Sequence, residues 1–178
     1  MYRSARRAPE KFFVGIDANV RPLTRISERI YRRAGKGGAP NVLFLQAAIE
    51  ELPDELSGIA SEVHIQFPWG SLLKGVASGD ELILKNLRRL CRSKARLEVT
   101  IGLDVNRDRA ELKRLGLPEL SARYLEHELV PAYESNGFAI EDYRILAAAQ
   151  WPQMESSWAM KLHRSPTRAL IYLRGVAD

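Results

Sequence analysis

Residues 11–17 read Lys-Phe-Phe-Val-Gly-Ile-Asp, a short apolar run that ends in an acid. Such a run is typical of a buried parallel strand, and its carboxyl end is where open α/β sheets bind ligands. An acid there can accept hydrogen bonds from the two hydroxyls of a ribose. A helix is expected next, since Asn19 can cap it, Pro22 suits its first turn, and apolar residues recur at helical spacing through Ile30. This stretch therefore predicts a strand–helix unit with Asp17 at the strand tip.

Apolar runs and helical patterns alternate along the rest of the chain. Strands are predicted at residues 41–47, 62–68, 95–101, 138–146 and 168–176, and helices at about 80–92 and 121–136. Strands and helices in alternation form right-handed crossovers, which give an open, mostly parallel sheet with helices on both faces. The predicted fold class is therefore α/β, and a chain of 178 residues has room for one domain, residues 1–178.

The composition is that of a globular protein, with 46% hydrophobic and 28% charged residues. No apolar run approaches the length of a membrane-spanning helix, and the basic amino terminus is not followed by the apolar core of a secretory signal. We therefore expect a cytoplasmic protein. Cys91 is the only cysteine and lies in a helical pattern beside Leu87 and Leu90, which predicts a buried thiol rather than a disulfide or a metal ligand.

Basic residues concentrate towards the beginning of the sequence. Residues 1–36 hold 10 lysines and arginines against 3 acids, and the remainder holds 17 against 19. This asymmetry favours a polyanionic partner, because cations that neutralise phosphates release condensed counterions. A solvated basic face explains the charge equally well.

Two tryptophans occupy positions that suit a flat ligand. Phe67-Pro68-Trp69-Gly70-Ser71 places an indole directly after a proline at the predicted mouth of the sheet, where an exposed ring is costly without a partner. Trp158 lies in a polar segment, Ser156-Ser157-Trp158-Ala159, and Trp151 is nearby. For a single tryptophan, filling a core gap is the stronger interpretation, and Asp17 could equally cap a helix.

Several short motifs together closely resemble the kanamycin-apramycin resistance methyltransferases. The matching segments occur in that family's order and span almost the whole chain: 13–17 (FVGID), 36–38 (KGG) with 41–42 (NV), 47–53 (AAIEELP), 67–73 (FPWGSLL), 116–118 (GLP) and 156–159 (SSWA). The family has the class I, Rossmann-like fold of S-adenosylmethionine-dependent methyltransferases, and it methylates N1 of adenosine 1408 in helix 44 of 16S rRNA. Because the modified decoding site binds aminoglycosides poorly, the resemblance implies an antibiotic-resistance enzyme.

The resemblance also implies which residues bind S-adenosylmethionine. Ile49 departs from the small residue expected at its position, although a hydrophobic neighbour still suits adenine. The implied cofactor-binding residues are Asp17 for the ribose, Ile49 and Glu50 for adenine, and Gln66, Ser71 and Ser156 for the methionine end.

The same carry-over implies an RNA site. Trp69 and Trp158 would act in catalysis by sandwiching the flipped adenine, and Arg168 would hold the distorted RNA backbone. Six further residues match the family's basic docking surfaces, and this match is less specific because the positions of basic residues vary within the family. They are Arg29, Arg32, Arg33, Lys36, Lys113 and Arg114. The implied partner is 16S rRNA within the assembled 30S subunit, bound by a monomer, and free 16S rRNA is expected to be a poor substrate.

The expected chemistry needs no catalytic dyad. Adenine N1 carries a lone pair at neutral pH and can attack the sulfonium methyl without a general base, so positioning would supply most of the catalysis. His64 lies in an apolar strand and is predicted to be a core histidine, while His127 and His163 have no partner at a ligand or triad spacing. No metal site is predicted.

The sequence departs from the family at its start. A cofactor fold of this class opens with a strand and a glycine-rich turn, and no such segment precedes residues 11–17, which match the family's second strand. Residues 1–7 match the helix after the glycine loop. We therefore expect a longer native protein, two open strand edges, and weak cofactor binding by the chain as given.

Three other functions fit parts of the pattern. A tRNA guanine-N7 methyltransferase shares the fold and a Phe-Pro segment before a tryptophan, but here Trp69 follows the proline directly. A non-catalytic RNA-binding domain would keep the basic helix without the cofactor. A nicotinamide-binding Rossmann module would leave both tryptophan segments without a role.

Overall fold

A computed structural model describes residues 1–151, Leu162 and residues 167–178. The chain divides into two compact units, Met1–Leu52 and Pro53–Asp178. Within the described residues, no helix combines the length and the apolar character that crossing a membrane requires. Each unit has its own hydrogen-bonded sheet, so the strands predicted as one sheet pair here as two.

The first unit is built around a parallel pair of strands. Its elements are α1 (Tyr2–Arg7), β1 (Phe13–Asp17), α2 (Val20–Ile30), a 3₁₀ turn (Ala34–Lys36), β2 (Val42–Gln46) and a second 3₁₀ turn (Ile49–Glu51). β1 and β2 pair in register from Phe13 opposite Val42 to Asp17 opposite Gln46. Since the two strands are parallel neighbours, α2 must run back between them, as the sequence predicts.

Local signals set the ends of α2. The Asn19 side chain accepts the backbone N–H of Arg21 at 3.1 Å, which confirms the predicted cap. Ile30, in the last turn, is buried with Ala5, Ala39 and Val42. α2 thus packs Ile30 against the strand pair and leaves Arg21 and Arg29 exposed to solvent.

The second unit is a four-stranded mixed sheet with helices. Its strands are β3 (Ala60–Gln66), β4 (Cys91–Leu103), β5 (Phe138–Leu146) and β6 (Ala169–Ala177), in the order β3-β4-β6-β5. β3 pairs parallel with β4, whereas β6 runs antiparallel to both β4 and β5. The helices are α3 (Gly70–Ser78), α4 (Glu81–Leu90), α5 (Arg109–Leu115), α6 (Ala122–Tyr124), a π-helical turn (Leu125–Leu129) and α7 (Val130–Ser135). The α/β class is therefore confirmed.

A hydrophobic core joins the helices to this sheet. α4 buries Ile83, Leu84, Leu87 and Leu90 on one face, and the Asp80 side chain caps it by accepting the Ile83 N–H at 3.1 Å. Tyr133 of α7 is fully buried and donates its hydroxyl hydrogen bond to the Val76 carbonyl at 3.0 Å. Burial raises the pKa of the Tyr133 phenol far above its ordinary value.

Two sequence predictions about single residues need correction. Cys91 is buried, as predicted, but it is the first residue of β4 and not part of a helix. Burial raises the pKa of its thiol to about 11. His64 is not a core residue, because β3 buries only one of its faces and the His64 side chain is 46% exposed on the other.

His64 instead belongs to a polar row across the sheet. It lies opposite Glu98 in the strand register, with its Nδ1 3.6 Å from a Glu98 oxygen and its Nε2 3.4 Å from Glu62. Tyr172 donates to the other Glu98 oxygen at 3.3 Å. The nearby Glu98 carboxylate raises the pKa of His64, and His64 in turn lowers the pKa of Glu98.

A buried ion pair between Arg168 and Asp108 lies where β6 begins. The Arg168 guanidinium donates from Nη1 to Asp108 Oδ2 at 2.7 Å and to the Gly102 carbonyl at 2.8 Å, and from Nη2 to Asp108 Oδ1 at 3.3 Å. Both side chains are almost fully buried. Thr167 also donates to Asp104 at 2.6 Å. Arg168 thus stabilises the fold from the interior, and its contact with the RNA backbone stays a prediction.

We predict that His64 makes stability depend on pH near neutrality. Its folded-state pKa is raised, so its contribution is fully present below the unfolded value of about 6.5 and is lost as pH rises through the folded value. Urea unfolding of His64→Gln should show a flatter dependence of the midpoint between about pH 6 and pH 8 than the wild type. Equal slopes for the two proteins would contradict this origin of the pH dependence.

We predict that Arg168→Met lowers the free energy of unfolding by about 3 kcal/mol, because it leaves the Asp108 carboxylate buried without its countercharge. The change is measured as a shift of the urea midpoint. Arg114→Met is the matched control, since Arg114 also contacts a carboxylate with two nitrogens, Glu111 at 2.7 Å, but on the surface. A wild-type midpoint for Arg168→Met would show that the buried pair is not a structural bond.

Candidate cofactor and RNA site

Asp17 and the segment after β2 lie at the same edge of the first unit. The backbone N–H of Ala47 donates to the Asp17 carbonyl at 3.3 Å, and the 3₁₀ turn with Ile49 and Glu50 follows directly. Ile49 and Glu50 are half-buried, whereas Asp17 is exposed. The parallel register therefore brings together the three residues predicted for the nucleoside end of the cofactor.

Asp17 also has a structural task. Its Oδ1 accepts the backbone N–H of Asn19 at 2.8 Å, so the carboxylate stabilises the turn into α2 one step before Asn19 caps it. The capping alternative and the ribose alternative are compatible, because an ionised carboxylate has about four acceptor positions and this bond uses one.

The turn after β3 carries the exposed tryptophan of the second unit. Phe67 has φ 53°, in the left-handed region that a phenylalanine avoids at a cost of roughly 1–3 kcal/mol. Its N–H still donates to the Thr100 carbonyl at 2.7 Å, so the strained residue remains bonded to β4. Gly70, with φ 62°, then begins α3. Between these two left-handed residues Trp69 is 54% exposed.

A ring stack holds Phe67 in this conformation. Its ring lies 5.9 Å from the Trp151 ring at an interplanar angle of 22°, and both are buried with Leu170. Gly102 of β4 lies beneath the pair, where a Cβ would be 2.9 Å from Phe67 Cδ1 and 3.4 Å from the Trp151 ring. Trp151 therefore fills a gap in the core, which is the stronger interpretation for a single tryptophan, whereas Trp69 does not.

The other residues predicted for this end of the sheet are distributed as follows. Gln66, the last residue of β3, and Ser71, in the first turn of α3, are both exposed on either side of Trp69. Ser156 and Trp158 lie outside the described residues. Among the described residues, no cluster of histidine, cysteine and acids could hold a metal ion.

The predicted RNA-docking residues form one group in each unit. Arg29, Arg32, Arg33 and Lys36 are exposed at the end of α2 and in the turn after it, and the Arg29 guanidinium stacks on the Tyr2 ring at 4.6 Å. Lys113 and Arg114 are exposed in the last turn of α5, where Arg114 is paired with Glu111. Arg168 is in the buried pair with Asp108.

Sequence reasoning missed two supports of this site. Gly102 interrupts an apolar strand, and a glycine inside a strand signals a close approach of neighbours, so the sequence did carry a signal for the stack above it. No local pattern marks Asp108, because its partner Arg168 is 60 residues away.

The fold and sequence match known proteins along nearly the whole chain. A sequence profile described as 16S rRNA (adenine(1408)-N(1))-methyltransferase, NpmA, matches residues 1–177. An Escherichia coli 16S rRNA (adenine(1408)-N(1))-methyltransferase is 36% identical over 98% of this chain and 80% of its own length. A protein of the same name from Streptoalloteichus tenebrarius is 33% identical over 94% and 76%.

Solved structures agree with these matches. The crystal structure of the 16S rRNA (adenine(1408)-N(1))-methyltransferase from Catenulisporales acidiphilia has a TM-score of 0.86 and 35% identity, over 99% of this chain and 81% of that one. A variant of it with cosubstrate SAM has a TM-score of 0.86 and 34% identity, over 99% and 79%. The chain belongs to the family of 16S rRNA (adenine(1408)-N(1))-methyltransferases.

Proposed function

We propose that this protein transfers a methyl group from S-adenosylmethionine to N1 of adenosine 1408 in helix 44 of 16S rRNA, and thereby confers aminoglycoside resistance. Family membership supports the reaction. The observation that carries it is Trp69, an indole held 54% exposed on a strained turn at the carboxyl end of a parallel strand. An indole exposed on an ordered turn offers a flat face on which a base can stack.

The described residues fit the nucleoside end of S-adenosylmethionine. Asp17 offers carboxylate oxygens to ribose hydroxyls, and the half-buried Ile49 and Glu50 at the same edge can border an adenine. Gln66 and Ser71 are exposed polar groups beside Trp69 and, with Ser156, are assigned to the methionine end by the resemblance. When bound, the cofactor supplies a methyl group on a sulfonium centre that adenine N1 can attack.

The chain's own part in the reaction is positioning. Adenine N1 has a free lone pair at neutral pH, so no side chain has to remove a proton. Extruding a base costs a few kcal/mol, and stacking on one aromatic ring returns roughly 1–3 kcal/mol. Trp69 alone would offset part of that cost, and Trp158 is proposed as the second face.

The proposed substrate is the assembled 30S subunit. We propose that the enzyme binds it as a monomer and that residues 1–178 function as one methyltransferase domain. The exposed cations of the two units, four after α2 and two in α5, suit phosphate contacts. Small ribosomal subunits work in the cytoplasm, which is where we place the reaction.

The direct test is methyl transfer by the native protein from labelled S-adenosylmethionine to intact 30S subunits, with reverse transcription to locate the modified base. We expect one stop at adenosine 1408 and much weaker labelling of free 16S rRNA. Labelling of tRNA guanine instead would favour the guanine-N7 alternative. Binding of 30S subunits without any methyl transfer would leave only an RNA-binding protein.

We predict that Trp69→Ala lowers kcat/KM for 30S methylation by about 10- to 100-fold, because it removes a stacking surface worth roughly 1–3 kcal/mol. Trp69→Phe should retain most of the activity. Since Trp69 is half exposed, circular dichroism and the thermal midpoint should stay near the wild-type values. Full activity of the alanine variant would refute the stacking role.

We predict that Asp17→Asn weakens S-adenosylmethionine binding by about tenfold or more, since hydrogen bonds to a charged acceptor contribute roughly 1.5–3 kcal/mol. An asparagine oxygen can still accept the Asn19 N–H, so the turn into α2 should persist. Calorimetric titration with the cofactor checks the affinity. Equal affinities for the two proteins would leave Asp17 as a turn residue alone.

A further inference from the structure

The turn after α2 carries an aromatic ring that the methyl-transfer site does not use. Tyr31 directly follows α2 and is 80% exposed. We call residues 29–36 the α2 basic turn; it contains Arg29, Arg32, Arg33 and Lys36 and no acidic residue. From this combination of a bare ring and four cations, we infer that Tyr31 is a stacking platform for an unpaired rRNA base that docks on the α2 basic turn.

The backbone of this turn is held by many hydrogen bonds. Gly38 donates to the Arg33 carbonyl at 3.0 Å, and Ala39 donates to the Ile30 carbonyl at 3.0 Å. Tyr2 donates its hydroxyl hydrogen bond to the Gly37 carbonyl. A Cβ at Gly38 would lie 1.6 Å from the Arg32 carbonyl oxygen, so this close approach requires glycine.

The same bonds leave Tyr31 pointing away from the core. Ile30, directly before Tyr31, and Ala39, which donates to the Ile30 carbonyl, are buried with 4% and 2% exposure, while Tyr31 is 80% exposed. An ordered turn loses little conformational entropy on binding, which favours a recognition surface over a merely solvated loop. Tyrosine adds contact area at low entropic cost.

Charge decides the kind of partner. Four cations within eight residues attract a phosphate backbone, and an aromatic ring among cations is the usual composition of a surface for single-stranded nucleic acid. Stacking needs a base that is not paired, so the contact must be a loop, a bulge or an end of the rRNA. An apolar protein partner would not call for the four cations.

The position of the turn separates this contact from the chemistry. Because β1 and β2 are parallel neighbours, α2 returns to their amino edge, where Phe13 donates to the Asn41 carbonyl at 2.9 Å. An α-helix rises about 1.5 Å per residue, so the 11 residues of α2 place Tyr31 roughly 16 Å from the edge that carries Asp17. Tyr31 therefore acts on substrate affinity and not on methyl transfer itself.

The test rests on the proposed 30S substrate and compares three variants of the full chain: Tyr31→Phe, Tyr31→Leu and Tyr31→Ala. We expect wild-type 30S affinity for phenylalanine, and affinity about tenfold weaker for leucine and alanine. KM should rise in parallel while kcat at saturating subunits stays unchanged. Tyr143→Leu is the control, since Tyr143 is a ring of β5 with 37% exposure whose neighbours Asp142 and Arg144 neutralise each other in an ion pair at 3.0 Å.

The salt dependence separates the ring from the charges around it. Arg32→Ala should reduce the slope of log affinity against log salt by about one phosphate contact, whereas Tyr31→Leu should leave the slope unchanged. If leucine binds as tightly as tyrosine, the ring meets an apolar protein surface and the inference is overturned. If the wild type methylates 30S subunits and all Tyr31 variants match it, only this inference fails; if the wild type neither binds nor methylates them, the proposed function fails with it.

Discussion

Phe67 adopts a left-handed backbone conformation at the end of β3, and the exposure of Trp69, two residues later, depends on it. The strain is offset by a ring stack with Trp151 and by the missing side chain at Gly102, which leaves room for both rings beside β4. A buried aromatic pair thus keeps an aromatic ring in solvent, which explains why a half-exposed Trp69 persists beside a well-packed core.

In the first unit, the parallel pairing of β1 and β2 positions the residues predicted for binding. Pairing Asp17 with Gln46 fixes a carboxyl edge that gathers Asp17, Ile49 and Glu50, and the return of α2 fixes an amino edge that gathers the basic turn. One short strand–helix–strand unit therefore places the residues proposed to bind the nucleoside and those proposed to contact phosphates at opposite edges, about one helix length apart. In such an arrangement, mutations at the basic turn can change the affinity for RNA while the cofactor edge stays intact.

Sequence patterns predicted what local physics decides. The strand at Phe13–Asp17, the cap at Asn19 and the strand at Phe138–Leu146 follow from apolar period and side-chain chemistry, and all three are present. The motifs identified the family correctly. Helical periodicity did not predict α3 or α5, because α3 is apolar on most sides and α5 has only seven residues.

Sequence patterns fell short where partners are distant in sequence. His64 was expected in the core because its strand neighbours are apolar, yet only one face of β3 is covered, and Glu98 across the ladder decides its environment. The family resemblance assigns Arg168 to the RNA backbone, and the sequence analysis did not foresee its bond to Asp108. No local pattern reveals either pairing, since each depends on which strands become neighbours.

We have proposed that the exposed indole of Trp69 and the residues gathered around Asp17 serve methylation of one decoding-site adenosine. Mass spectrometry of 16S rRNA fragments from bacteria that express the native protein tests this most directly. We expect a single added methyl group, on N1 of adenosine 1408, and a smaller modified fraction when Trp69 is replaced by alanine. An unmodified adenosine 1408, together with a new methyl group on another RNA, would contradict it.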